Sequence, residues 1–200
     1  MRPSVPSIIL ASTSPRRIEL LTQLGLKPKV IAPHTDETVL AGEKPRALVR
    51  RLSLAKAVSV AKRVKLGAGI VVLAADTIVV RNGSILNKPT GPAQAREMLR
   101  ALSNREHEVL TGYCLISSSR QLVRVVSTRV CITRLSTRAI RAYVETGEPL
   151  DKAGAYAAQG MGMGLIEKIT GSYSNVVGLP VSHVIKDLSQ AFGFELFKWL

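Results

Sequence analysis

Apolar residues recur along the chain with spacings typical of short strands and of helices. Residues Ser7 to Ala11 form an apolar run that predicts a strand. Ser14 and Pro15 follow with the chemistry of a helix N-cap and a first helical residue. Apolar side chains at helical spacing come next, and Gly25 is typical of the residue that ends a helix. The chain is therefore predicted to open as strand, turn and helix.

The next segment predicts a central strand preceded by a long helix. A strand near Lys29 to Ala32 leads into an acidic turn at His34 to Thr38, and a long basic helix then ends before Gly67. Residues Ile70 to Ala75 are apolar on both faces, as expected of a strand that is covered on each side. We expect Asp76 to lie at the end of this strand.

The rest of the chain alternates between strands and helices. The predicted elements are a hairpin turn at 81–83 leading into Ser84 to Leu86, a helix from Pro92 through Leu102, an antiparallel pair of strands at Glu108 to Ser118 and Leu122 to Leu135, a helix between Ser136 and Gly147, a glycine-rich segment from Gly154 to Gly178, and a last helix from Pro180. This order predicts an α/β fold.

Length and composition favour one domain over residues 1–200. The chain has 200 residues and 46% hydrophobic content, enough to fill a core without disulfides. We expect Cys114 and Cys131 to be small buried hydrophobic residues. No apolar run approaches the ~20 residues that span a bilayer, and the first residues lack the pattern of a signal peptide. A soluble protein of the cytoplasm is expected.

Charge is the unusual feature of the composition. The formal net charge is +14, which attracts polyanions. Eight bases and no acid lie between Lys44 and Lys65 on the predicted long helix. This run is either a solvated helix face or part of an anion-binding surface. It contains no aromatic residue for base stacking, which argues against a nucleic acid and in favour of a mononucleotide as the partner.

The first candidate for chemistry is the turn Ser12 to Arg17. Hydroxyls, backbone N–H groups at a helix start and the guanidinium groups of Arg16 and Arg17 come together there. Such groups bind phosphate oxygens. The alternative is an ordinary capped helix with solvated arginines.

The second candidate is a group of carboxylates and lysines. Asp76 follows a buried strand, where open α/β sheets place ligands. It either caps the following turn or serves as a metal ligand or proton acceptor, with Glu37 as a second oxygen ligand. Lys56 and Lys88 can present point charges to a phosphate, or they are ordinary surface residues.

Two glycine-rich segments complete the candidates. Residues 151–160 allow a ligand to approach the backbone closely, and Gln159 offers the donor and the acceptor that base recognition requires. Residues 171–180 combine hydroxyls and glycines with a helix start. The alternative for both segments is a loop with a purely structural role. The residues alone indicate a basic α/β protein with phosphate and metal sites, and they leave the reaction open.

Taken together, these segments resemble the Maf family of nucleotide pyrophosphatases. The resemblance rests on LASTSPRR (10–17), TDET (35–38), RLSLAKA (51–57), AADTIVV (74–80), NKP (87–89), GEPLDKAGAYAAQG (147–160) and GSYSNVVGLP (171–180). It implies a Maf/ITPase-like α/β fold, with a long mixed sheet flanked by helices and a nucleotide cleft between two lobes. It also suggests a homodimer.

The resemblance assigns roles to individual residues. It makes Asp76 the proton acceptor and, with Glu37, a ligand of Mg²⁺ or Mn²⁺. The residues that it implies in binding the nucleoside triphosphate are Ser12, Ser14, Arg16, Arg17, Lys56 and Lys88.

The resemblance further implies a substrate class. One branch of the family is similar to dTTP and UTP pyrophosphatases, and a sister branch acts on 7-methyl-GTP. Arg16, Thr77 and Gln159 side with the first branch and are the predicted specificity residues. The alternatives are 7-methyl-GTP hydrolysis, a role on modified pyrimidine nucleotides, and a non-catalytic basic module involved in cell-division arrest.

Overall fold

The structure, a computed structural model, describes residues 7–195. The predicted single domain spans 1–200, so its first six and last five residues lie outside the described range. The strands are β1 (Ser7–Leu10), β2 (Lys29–Val30), β3 (Ile70–Arg81), β4 (Ser84–Leu86), β5 (Arg105–Ile116), β6 (Gln121–Ile132) and β7 (Ile166–Thr170). The helices are α1 (Pro15–Gln23), α2 (Pro45–Ala61), α3 (Pro92–Leu102), α4 (Thr137–Glu145), α5 (Tyr173–Val177) and α6 (Val181–Phe192), with three short 3₁₀ turns between α4 and β7.

All seven strands belong to one mixed sheet, as predicted. Its order is β2-β1-β3-β5-β6-β7, and β4 pairs with β3. The pairs β1–β2 and β1–β3 are parallel, whereas all the others are antiparallel. The predicted long antiparallel pair is confirmed as β5–β6, whose register runs from Arg105 opposite Ile132 to Ile116 opposite Gln121.

Side chains of β3 alternate between two covered faces. On one face, Leu73 packs with α1 and α6, and Val79 packs further along with α3 and α4. On the other face, Val72 and Ala74 pack against α2. The elements thus form two lobes on a shared sheet: the first lobe contains β1, β2, α1 and α6, and the second contains β4, α3 and α4. Helix α2 spans both lobes, since its first half packs with Ile78 of β3 and with strand β4.

The boundary between the lobes is a gap along one edge of β3. On this edge, β1 pairs with β3 only as far as Leu73, and β4 begins to pair at Val79. The opposite edge is occupied by β5 from Val72 to Val80. No strand among residues 7–195 therefore covers Asp76 and Thr77 on the open edge, and their side chains point to opposite faces of the sheet.

Helix α2 lies unusually close to the sheet at Gly112 of β5. A β-carbon at this position would lie 2.1 Å from the carbonyl oxygen of Val49 in α2. Only glycine permits this approach. Gly112 is directly opposite Asp76 in the β3–β5 register, so the close contact lies beside the gap.

Two predictions about local structure were wrong, and one strand was not predicted. Asp76 does not end its strand, because β3 continues to Arg81 while pairing with β5. Strand β7 lies within the predicted glycine-rich segment and has an exposed, mostly polar sequence. Cys131 is only half-buried, because it lies on β6 opposite the partly exposed edge strand β7, whereas Cys114 is fully buried as expected.

The helix starts were predicted more accurately. Pro15 is the first residue of α1 and Ser14 occupies the N-cap position, although the Ser14 side chain makes no capping hydrogen bond. Ser136 caps α4 by accepting a hydrogen bond from the Ala139 amide at 3.1 Å. Within residues 7–195, none of the helices combines the length and apolar character that crossing a bilayer requires.

Candidate active site

A polar cavity of about 430 Å³ opens at the gap between the two lobes. This volume is within the range of small-molecule sites. We call it the cleft. All ten residues singled out from the sequence line it: Ser12, Ser14, Arg16, Arg17, Glu37, Lys56, Asp76, Thr77, Lys88 and Gln159.

The turn from β1 to α1 forms one wall of the cleft. The Ser12 hydroxyl is buried and accepts hydrogen bonds from the Ser14 amide at 3.2 Å and from Arg17 Nη1 at 3.1 Å. Since the Ser14 side chain does not cap α1, the first amides of this helix are left for another acceptor. The wall can therefore bind an anion.

Arg17 joins this wall to the centre of the sheet. Its Nε donates to the Gly178 carbonyl oxygen at 2.9 Å, and its Nη2 donates to the Thr77 hydroxyl at 3.2 Å. The Thr77 hydroxyl is also 2.9 Å from that of Thr111. Burial lowers the pKa of Arg17, an effect that the nearby Asp76 carboxylate opposes. Three N–H groups of Arg17 therefore bind other protein groups, and its remaining N–H groups are those left for a ligand.

Lys56 and two carboxylates form the charged centre of the cleft. Lys56 Nζ donates to Asp76 Oδ1 at 2.6 Å and lies 2.9 Å from Glu37 Oε1. Lys56 and Asp76 are both buried, whereas the Glu37 side chain is 57% exposed. Asp76 comes from β3, Lys56 from α2 and Glu37 from the segment before α2, so three separate parts of the chain build this centre.

The two carboxylates fit a divalent cation whose remaining coordination positions are filled by the substrate. Lys56 contacts one oxygen of each carboxylate, and among the described residues no protein side chain donates a hydrogen bond to the second oxygen of either. Within the described chain, no group of three or more His, Cys, Asp or Glu side chains could enclose a metal. Mg²⁺ typically binds one or two carboxylates together with phosphate oxygens and water, so Glu37 and Asp76 suit that mode.

The opposite wall comes from the second lobe. Lys88 is exposed on it and Gln159 is half-buried. Val79, Val109, Val176 and Tyr156 add an apolar surface to the same cavity. The cleft therefore combines charged and apolar groups, as a nucleotide with an anionic end and a flat base would require.

Two functional candidates on this wall were missed in the sequence. Tyr156 and Lys152 both line the cleft. The Tyr156 hydroxyl is 2.7 Å from Nε2 of the buried His107, and burial lowers the pKa of His107 to about 4. Lys152 and Tyr156 lie within residues 151–160, a segment that the sequence marked for its small residues and for Gln159, and no spacing pattern singles out these two side chains.

A second concavity, of about 630 Å³, lies between α1 and α6. Its lining is mostly apolar and contains Lys186 as its only charged residue among those described. It cannot neutralise a triphosphate, so the smaller polar cleft is the candidate active site.

The chain is similar to known proteins over nearly its whole length. The model of the family described as Maf-like protein matches residues 7–191. A dTTP/UTP pyrophosphatase of Anaeromyxobacter dehalogenans is 50% identical over 195 residues, covering 96% of each chain. One of Symbiobacterium thermophilum is 48% identical, covering 95% of this chain and 96% of that protein.

Among solved structures, the Staphylococcus aureus Ham1 protein aligns with a TM-score of 0.48 and 15% identity, covering 80% of this chain and 79% of that one. The family match spans every residue that lines the cleft, from Ala11 to Gly178. On this match and on the near-complete coverage of relatives about half identical in sequence, the chain belongs to the Maf family.

Proposed function

We propose that this protein hydrolyses dTTP and UTP to the nucleoside monophosphate and pyrophosphate. The observation that carries the proposal is the buried Asp76 carboxylate, which lies in one cleft with Arg16, Lys56 and Lys88. Relatives named dTTP/UTP pyrophosphatase, 43% to 50% identical to the chain, support this substrate class.

Hydrolysis needs a proton acceptor near the attacking water and positive charge near the phosphate oxygens. Asp76 is the acceptor in this proposal. As the water oxygen bonds to the α-phosphorus, its proton passes to the carboxylate, and the bond from the α-phosphorus to the bridging oxygen breaks to release pyrophosphate. Lys56 orients Asp76 through their 2.6 Å contact.

The remaining cations hold the substrate. Arg16 and Lys88 reach the cleft from opposite lobes, so a triphosphate between them is neutralised from two sides. Mg²⁺ or Mn²⁺ on Glu37 and Asp76 would supply further positive charge to the phosphate oxygens when bound.

Specificity for the base is assigned to Gln159, Arg16 and Thr77, which all line the cleft. Gln159 can donate to and accept from a pyrimidine edge. Arg16 and Thr77 are the other specificity residues in this proposal, and the Arg17–Thr77 hydrogen bond fixes the position of Thr77. Modified uridine triphosphates present the same kind of edge and belong to the proposed range of substrates.

A cytoplasmic location and a homodimeric state also remain proposals. Cys114 and Cys131 are free thiols, which suits a reducing compartment. The homodimer rests on the family resemblance and is tested by measuring mass in solution.

The test is pyrophosphate release from a panel of nucleotides with Mg²⁺ or Mn²⁺. We expect dTTP and UTP to be cleaved in preference to 7-methyl-GTP. Asp76→Asn should lower kcat by ~10²–10⁴-fold with a much smaller change in KM, because its role is played in the transition state. Glu145→Gln, on the exposed end of α4, removes the same charge outside the cleft and is the control.

Two results would contradict the proposal. Full activity of the Asp76→Asn variant would show that Asp76 is not the proton acceptor. A preference for 7-methyl-GTP over dTTP would move the protein to the alternative substrate class.

A further inference from the structure

A cluster of charged side chains crosses the mouth of the cleft from one lobe to the other. Asp151 Oδ2 is 3.7 Å from Arg16 Nη1 of α1, and the other oxygen of Asp151 contacts Lys152 Nζ. The Asp151 side chain is 66% exposed, whereas that of Lys152 is only 16% exposed. One exposed carboxylate thus lies between two cations that line the cleft.

The backbone at Lys152 is fixed beside the segment that carries Lys88. The Gly154 amide donates to the Asn87 carbonyl oxygen at 3.2 Å, next to Lys88 in the chain. The Ala155 amide donates to the Lys152 carbonyl oxygen at 3.0 Å, which closes the turn. Gly154 has a φ of +71°, and a β-carbon there would lie 3.0 Å from the Val79 side chain. Lys152 is therefore presented to the cleft from a tightly packed turn.

The carboxylates of the cleft lie in two places. Glu37 and Asp76 both contact Lys56, and Lys56 and Asp76 are buried there. Asp151 balances Arg16 and Lys152 at the open mouth. Although burial acts to raise the pKa of Asp151, hydrogen bonding to Lys152 and the charges of Lys152 and Arg16 lower it overall. Its oxygens therefore offer those cations the same kind of contact that phosphate oxygens would offer.

We propose that Lys152 is a further triphosphate-binding residue and that Asp151 is a built-in counter-anion, which the substrate displaces from Arg16 and Lys152. This proposal rests on the proposed function. It makes Asp151 a competitor of the substrate, because the exposed carboxylate must give up its ion pairs before phosphate takes its place. It makes Lys152 a phosphate-binding side chain whose position is set before the substrate arrives.

The experiment compares Asp151→Asn, Lys152→Met and Lys152→Arg with the Glu145→Gln control. For each variant, KM and kcat for dTTP are measured, together with the affinity for inorganic tripolyphosphate by calorimetry. Asp151→Asn should lower KM and tighten tripolyphosphate binding by about two- to fivefold, the range of exposed ion pairs, with a smaller change in kcat. Lys152→Met should weaken both by ~10-fold or more, the size of a charge-assisted hydrogen bond, and Lys152→Arg should recover most of the loss.

Each outcome decides the matter. If Asp151→Asn matches Glu145→Gln or weakens binding, the counter-anion role is overturned. If Lys152→Met leaves tripolyphosphate affinity unchanged, Lys152 does not bind the triphosphate. Binding that follows the predicted pattern without hydrolysis of dTTP or UTP would refute the proposed function while keeping the anion exchange. Hydrolysis without that pattern would refute only the anion exchange, and absence of both activities would refute both.

Discussion

Replacing Gly112 by alanine should move α2 away from the sheet and disable the charged centre of the cleft. The new β-carbon would lie 2.1 Å from the Val49 carbonyl oxygen, where about 3.3 Å is needed, so the helix must shift by roughly 1 Å. Lys56 belongs to this helix, and its 2.6 Å contact is with Asp76, directly opposite Gly112. We expect a loss of about 1–3 kcal/mol in the free energy of unfolding, as for other overpacked cores, and a fall of ~10²-fold in kcat.

The assay combines urea unfolding with dTTP turnover, measured where the variant is shown to be folded. Gly67→Ala is the matched control, because the nearest atom to its β-carbon would be Ile70 Cδ1 at 3.8 Å, an ordinary contact. An alanine at 112 with wild-type stability and turnover would refute the reasoning. A loss of stability without a loss of kcat would show that the spacing between α2 and the sheet does not set catalysis.

Three further predictions concern stability. The pKa of His107 is lowered to about 4 from 6.5, chiefly by burial and secondarily by Arg81, so the folded state resists protonation. The free energy of unfolding should therefore lose on the order of 3 kcal/mol as the pH falls from 6.5 to 4, and pH-dependent urea titrations of His107→Gln should lack this contribution. Glu148 accepts hydrogen bonds from Tyr143 and from the Met161 and Gly162 amides. Glu148→Gln should lower the free energy of unfolding by ~1–3 kcal/mol and speed proteolysis near Gly160, whereas unchanged stability and proteolysis would mean that the turn holds without this carboxylate. Ser136→Ala removes the cap of α4 and should cost ~1 kcal/mol in urea unfolding, whereas no change would mean that water replaces the cap.

Secondary structure was predictable where apolar periodicity and capping residues agreed. The run of capping and apolar residues at Ser136 places α4, and alternating residues on either side of the turn at 119–121 place β5 and β6. The end of β3 was not predictable, because Asp76 and Thr77 are polar residues inside a strand. Their polarity is tolerated there because Lys56 and Arg17 pair with them, and those partners are distant in the sequence.

The residues of the cleft were predictable from local motifs, but their contacts were not. Local sequence shows that Arg16 and Asp151 are charged, yet only folding brings them within 3.7 Å of each other. Likewise, a tyrosine and a histidine 49 positions apart give no sign that their side chains meet at 2.7 Å. Motifs report which groups are present, whereas tertiary packing decides which groups share a proton or a ligand.

The unbroken strands have a consequence for how the cleft receives its ligand. Strands β3, β5 and β6 each have twelve residues and pass through both lobes without interruption. The ladders between them resist bending at the boundary, so we expect the sheet to keep its shape when a ligand binds. Adjustment would then be confined to side chains and to segments such as the one around Glu37, and the affinity of a ligand would not be reduced by the cost of bending the sheet.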